Sequence, residues 1–143
     1  MSRQHLLVCL AAMLGCLLMA DAALQIVYDA QDLIDLFTDT PSFQMTDEIE
    51  VDGDLDFADT EFSTPLGLSV MECVPYSGVF NGQGHVIKNI AMDNTGNSDY
   101  PHAGLFCGLK GATIKDVTIN TLCSFKGDSA GALSILYWDL FLW

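Results

Sequence analysis

The sequence predicts an all-β solenoid, a short stack of coils whose successive strands pair in parallel. Three observations carry this reading. The first is a stretch that occurs almost twice. Residues 78–92 read G-V-F-N-G-Q-G-H-V-I-K-N-I-A-M, and residues 104–119 read G-L-F-C-G-L-K-G-A-T-I-K-D-V-T-I. Gly78, Phe80 and Gly82 recur at one shared offset as Gly104, Phe106 and Gly108. After one inserted residue, Ile87-Lys88-Asn89-Ile90 recurs as Ile114-Lys115-Asp116-Val117, the offset now longer by one. The second observation is a third start, Ala130-Gly131-Ala132-Leu133, which follows Ala103-Gly104-Leu105-Phe106 at that same longer offset. The third is a clean two-residue alternation over residues 46–57. A repeat of this length means a stacked architecture: one coil cannot bury its apolar face, so its neighbours supply the core.

In chain order, the first segment reads as a leader. Residues 1–5 are short and weakly basic, residues 6–19 form an uncharged apolar run, and Ala20-Asp21-Ala22 places small residues before a cleavage point. This is the pattern of a secretory signal peptide over residues 1–22. The run is short for a membrane span, which needs about 20 apolar residues. An uncleaved anchor is the alternative. Residues 23–45 form an N-terminal cap: Leu33, Ile34, Leu36 and Phe37 follow Asp29 and Asp32 at helical spacing, with Asp29 as N-cap.

Over residues 46–57, Ile49, Val51, Gly53, Leu55 and Phe57 share one parity, and Glu48, Glu50, Asp52, Asp54 and Asp56 the other. Period two predicts a strand with one buried and one wet face, with a bend at Gly53. In each repeat a short apolar strand meets a glycine corner and then a second strand, so that like residues stack on like. Gly78, Phe80, Gly82, Ile87, Ile90, Gly104, Phe106, Gly108, Ile114 and Val117 are the structural repeat positions. The rival for Asn81-Gly82 is a two-residue hairpin turn, which Cys107-Gly108 suits less well. Residues 46–134 therefore form the repeat domain. Residues 135–143, which hold both tryptophans, leave the pattern and read as a truncation or frameshift.

Composition narrows function. The formal net charge is −14, from 19 acidic against 5 basic residues. Such a surface repels phosphate backbones and anionic membranes, so a nucleic-acid partner is not expected. Half the residues are apolar, which excludes disorder by composition. Cys9 and Cys16 lie in the leader, leaving Cys73, Cys107 and Cys123 as disulfide candidates. One disulfide plus one free thiol is the simplest outcome, and a partner missing from an incomplete chain is the alternative.

Candidate sites are few. Asp52, Asp54 and Asp56 invite a calcium reading, but the EF-hand pattern fails because Phe57 and Ser63 stand where Gly and Glu are needed. The wet face of an alternating strand is the favoured account of all three. His85 and His102 lack zinc-ligand spacing. Cys107 has no local feature that would activate it as a nucleophile. No cofactor is expected, and no pair of carboxylates is marked out for glycosidic cleavage. Asn94, Asn97 and Asn120 do not form glycosylation sequons.

The repeat resembles GLUG-motif proteins. S-G-V-F-N-G-Q-G-H-V-I-K-N-I at residues 77–90, A-G-L-F-C-G-L at 103–109 and A-T-I-K-D-V-T-I at 112–119 are similar to that family's "GxFDGNGHxIKNL" and "GLFGxxxxAxIKNLxL". The lead-in at Asp54-Leu55-Asp56-Phe57 and residues 62–67 is also similar, so the resemblance covers residues 47–134. It implies a right-handed parallel β-helix in a secreted or surface, adhesin-like protein. It implies no catalytic residues. The function expected is non-enzymatic adhesion or recognition of an extracellular protein or glycan surface. The alternatives are a carbohydrate-active β-helix enzyme, lyase- or hydrolase-like, and a non-functional truncated product.

Overall fold

A computed structural model describes residues 22–69, 72–134, 137–138 and 141–142. The leader reading thus falls almost wholly outside the described residues. The chain opens with β1 (Leu24–Val27) and the helix α1 (Ala30–Thr38). Asp29 caps the helix, its carboxylate accepting from the Asp32 amide at 2.9 Å. That satisfies one of the N–H groups left unpaired at any helix start. Ala30, Leu33 and Leu36 lie on one side of α1 and are buried.

The alternating segment forms two strands rather than one. β2 (Glu48–Val51) and β3 (Leu55–Asp56) belong to different sheets, and the chain turns between them at Gly53. A Cβ at Gly53 would come within 2.5 Å of the Tyr28 carbonyl oxygen, so only glycine lets the corner sit this close to the end of β1. The parity survives the corner: Ile49, Val51, Leu55 and Phe57 are all buried.

After an antiparallel pair, β4 (Leu68–Ser69) with β5 (Glu72–Cys73), come β6 (Val79–Asn81), β7 (Val86–Lys88), β8 (Ala91–Asp93), β9 (His102–Ala103) and β10 (Leu109–Lys110). They are followed by β11 (Thr113–Lys115), β12 (Thr118–Ile119), β13 (Ser124–Lys126), β14 (Ser129–Ala130), β15 (Tyr137–Trp138) and β16 (Phe141–Leu142). Pairing among these strands is parallel. β6, β7, β8, β9 and β10 meet β11, β12, β13, β14 and β15 in that order. The largest sheet runs β1-β2-β6-β11-β16, and a second runs β3-β7-β12. Among the described residues the architecture is thus all-β with one short helix, its sheets open and, apart from the β4–β5 pair, parallel. Asn81-Gly82 is a corner between sheets, because β6 and β7 do not pair with each other.

The register corrects one expectation. Ile87 and Ile114, repeat equivalents, do not stack. Ile114 sits beside Phe80, and Ile119 sits beside Ile87. Both steps are longer than the sequence repeat. The third start does keep the step of that repeat: Ser129 and Ala130 lie beside His102 and Ala103, and the Leu105 and Phe106 amides donate to the Ala132 and Leu133 carbonyls. What repeats is a local unit of strand, corner and strand. The first copy is β7, Asn89 and β8; the second is β11, Asp116 and β12. Asn89 and Asp116 both adopt the left-handed backbone, at φ 61° and 52°, a region that Asn and Asp enter more readily than most residues. The repeat is shorter than the step between paired strands, so its second copy lands one sheet out of phase with the first.

The core follows this register. Ile49, Phe80 and Ile114 are buried side by side on neighbouring strands, and Leu55 lies beside Ile87. Val117, the last of the structural repeat positions, is only partly buried. Phe106 stacks on Tyr76 with ring centres 5.4 Å apart and meets Phe80 edge-on at 5.8 Å. Phe37 of α1 packs against Phe43, Tyr76 and Phe106. Each such side chain, fully buried, contributes roughly 1.5–3 kcal/mol. The segment expected to leave the pattern contributes two strands, β15 and β16, beside β10 and β11. The remainder of residues 135–143 lies outside the described residues.

Candidate functional site

The richest group of polar side chains sits on the exposed side of β3 and β7. Parallel pairing sets Leu55 beside Ile87 and Asp56 beside Lys88. Leu55 and Ile87 point inward and are buried. Alternation then turns Asp54, Asp56 and Lys88 outward on one surface. The Lys88 ammonium lies 3.5 Å from Asp54 and 3.8 Å from Asp56. His85 Nδ1 lies 3.6 Å from Asp54. The Val86 amide donates to Asp54 at 3.0 Å, and the Asn89 side-chain amide donates to Asp56 at 2.8 Å.

These contacts set the charge state of the two acids. The Val86 N–H, assisted by Lys88, holds the Asp54 carboxyl below the usual carboxylate range. The Asn89 and Ala58 donors do the same for Asp56, again helped by Lys88. Both are therefore ionised carboxylates at neutral pH.

Beside this cluster lies an open groove of about 610 Å³ lined by Asn81, Gln83, Gly84, Asp116, Val117 and Thr118. The Gly84 amide donates to the Asp116 carbonyl at 2.7 Å, and the Gln83 amide to the Asn81 side chain at 3.1 Å. Three of the lining residues, Gln83, Gly84 and Asp116, have positive φ, so the groove floor is built from corners. Short amide, hydroxyl and carboxylate groups line it, next to the charged cluster.

Asp52, Asp54 and Asp56 are the calcium candidates of the sequence. Among the described residues, no three His, Cys, Asp or Glu side chains gather to hold a metal. Asp54 and Asp56 converge on the Lys88 ammonium instead, which places a positive charge where the ion would sit. Cys73 and Cys107 are joined in a disulfide, and Cys123 is a half-buried free thiol. His102 lies under Tyr100, with ring centres 5.2 Å apart, and belongs to no metal-binding group among the described residues. Gly82 and Gly108, paired as repeat corners, meet different neighbours: Gly82 faces Asp116 and Val117, and Gly108 faces Cys73 and Pro75.

Sequence reasoning missed the Asp54–Lys88–Asp56 group, because Lys88 is far along the chain from both acids and the sequence repeat predicts a different pairing. The one local signal was two acids at i and i+2 on a strand. Among the described residues, no helix is long and apolar enough to cross a membrane. Comparison of the chain with models of known protein families, with curated proteins and with solved structures gave no match in any of the three.

Proposed function

We propose that this chain is a secreted or cell-surface recognition protein without catalytic activity, built from GLUG-type coils of a right-handed parallel β-helix and working in adhesion. The parallel pairing that recurs in one order, β6 to β10 against β11 to β15, supports the coil reading. Stacked coils present long exposed faces of short polar side chains, a common basis for binding extended ligands. The compartment rests on the leader-like start and on the Cys73–Cys107 disulfide.

The observation that carries the binding reading is the groove at Asn81, Gln83, Asp116 and Thr118, with His85 of the charged cluster next in the chain to Gly84 of its lining. Its donors and acceptors suit hydroxyl- and amide-bearing ligands, as on glycans and extracellular protein surfaces. The net charge of −14 disfavours polyanionic ones. Binding is favoured over cleavage by the two carboxylates. Glycoside hydrolysis needs one carboxyl kept protonated at working pH, whereas Asp54 and Asp56 are both held in the ionised form.

An array of glycans and extracellular-matrix proteins, read for both capture and product release, tests the proposal. Capture without turnover, reduced at least tenfold by Gln83→Ala with Asp116→Ala, is the expected result. Release of cleaved product, abolished by Asp54→Asn or Asp56→Asn, would replace adhesion by enzymatic action.

A further inference from the structure

The least expected group in the molecule is a carboxylate at the start of β2. Asp47 is 3% exposed. Its Oδ1 accepts from the Ala23 backbone nitrogen at 3.2 Å, and its Oδ2 accepts from the Gln25 side chain at 3.1 Å and the Gln44 amide at 3.0 Å. All three donors are neutral here. Among the described residues, no Lys, Arg or His forms an ion pair with Asp47. A buried charge without a counter-charge is costly, and neutral donors offset only part of that cost.

The donor at Ala23 is the one that processing would change. Ala22 ends the small-residue pattern Ala20-Asp21-Ala22, where a leader of this type is cut. We propose that hydrolysis of the Ala22–Ala23 bond creates a structural N-terminus, whose α-ammonium forms an ion pair with buried Asp47. Water adds across the amide. Ala22 leaves as the carboxylate end of the leader, and the Ala23 nitrogen takes up a proton to become an ammonium. The peptidase required recognises small side chains at Ala20 and Ala22.

The geometry needs no rearrangement. The Ala23 carbonyl already accepts from the Glu48 amide at 2.8 Å, and Leu24 continues the parallel pairing with Glu48. Asp47 is fixed in turn: its amide donates to the Gln44 carbonyl at 2.9 Å, and its carbonyl accepts from the Tyr76 hydroxyl at 2.7 Å. Cleavage therefore replaces a neutral N–H by a cation at a position held from both sides. A charge-assisted hydrogen bond is roughly twice as strong as a neutral one. Removal of the leader thus completes the fold and locks β1 onto the edge of the large sheet.

The inference rests on the secretory reading, and its test separates the two. N-terminal sequencing of the full chain secreted from an expression host should begin Ala-Leu-Gln; any other first residue overturns the proposal. Thermal unfolding of that product is then compared with the same protein carrying a Gly-Ser extension, which restores a neutral amide at Ala23. The free-amine form should melt higher by about 5 °C, and the gap should close in Asp47→Asn. Equal midpoints, or a gap that persists in Asp47→Asn, overturn the pairing. If Asp47→Asn does not fold, NMR titration of the labelled α-amine decides. Glu48 and the Tyr76 phenol are the other titratable groups at hand. A midpoint above the ordinary α-amine range of about 7.7–8.0 supports the pair, and one within or below it overturns the proposal.

Discussion

Gly82→Ala should destabilise the protein far more than Gly84→Ala, although both glycines belong to one N-G-Q-G motif. A Cβ at Gly82 would lie 2.5 Å from the Asp116 carbonyl oxygen, 2.5 Å from Val117 Cβ and 2.8 Å from Val117 Cα. Comfortable carbon–carbon contact is about 3.5–4.0 Å. The two segments must therefore move apart by roughly an ångström, and two of the three atoms are backbone. Overpacking of this kind costs ~1–3 kcal/mol, and the backbone contacts place Gly82→Ala near the top, at ~3 kcal/mol. At Gly84 nothing lies within 4 Å of a new Cβ, but φ is +81°. Its cost is conformational alone, ~1 kcal/mol. Urea unfolding of both variants, with the slope unchanged, measures the difference. About 2 kcal/mol should separate them, equivalent to roughly 6–10 °C in melting temperature for a domain of this size. Equal losses would refute the close approach of the Asp116–Val117 corner to Gly82, and with it the register that places β11 beside β6.

The Cys73–Cys107 disulfide joins positions separated by 34 in sequence and ties the β4–β5 hairpin to the segment before β10. Closing a loop of this length removes roughly 4 kcal/mol of chain entropy from the unfolded state. Cys73→Ser with Cys107→Ser should lower the melting temperature by ten degrees or more, and Cys123→Ser by much less. Addition of reductant should reproduce the first effect and leave the double variant unchanged. Stability should also fall in acid. Asp54 and Asp56 titrate lower in the folded chain than the unfolded value of about 3.9. Their contribution is thus present above about pH 4 and lost as pH falls through the folded values. Both are exposed, so the effect should be small and weakened by salt. Urea midpoints from pH 6 to 2 should show a shallower acid slope in Asp54→Asn with Asp56→Asn than in the parent chain.

Short-range chemistry was legible from the sequence because it depends on neighbours a few bonds away. Asp29 caps α1 because its side chain reaches the Asp32 amide one helical turn on. The parity of Ile49, Val51, Leu55 and Phe57 follows from the pleat, and it persists through the corner at Gly53. Asn89 and Asp116 occupy equivalent repeat positions and share one backbone conformation. Which strand lies beside which is a different matter. Parallel register is set by contacts between segments far apart in the chain, so a repeat of one period could coexist with strand pairings of a longer one. The same holds for each polar group of interest. Lys88 meets Asp54 and Asp56, and Ala23 meets Asp47, only through strand pairing. The first strand shows the limit most sharply. Leu24, Ile26 and Tyr28 alternate as a buried face should, yet they are 53%, 49% and 58% exposed. Val27 on the other parity is buried and Gln25 reaches Asp47, so the inward face of β1 is decided by the strand and the carboxylate beside it. The all-β character, the corners and the helix cap follow from local sequence alone. The tertiary structure decided the register, the disulfide partner and the company of every charge, because those depend on which distant segments are stacked together.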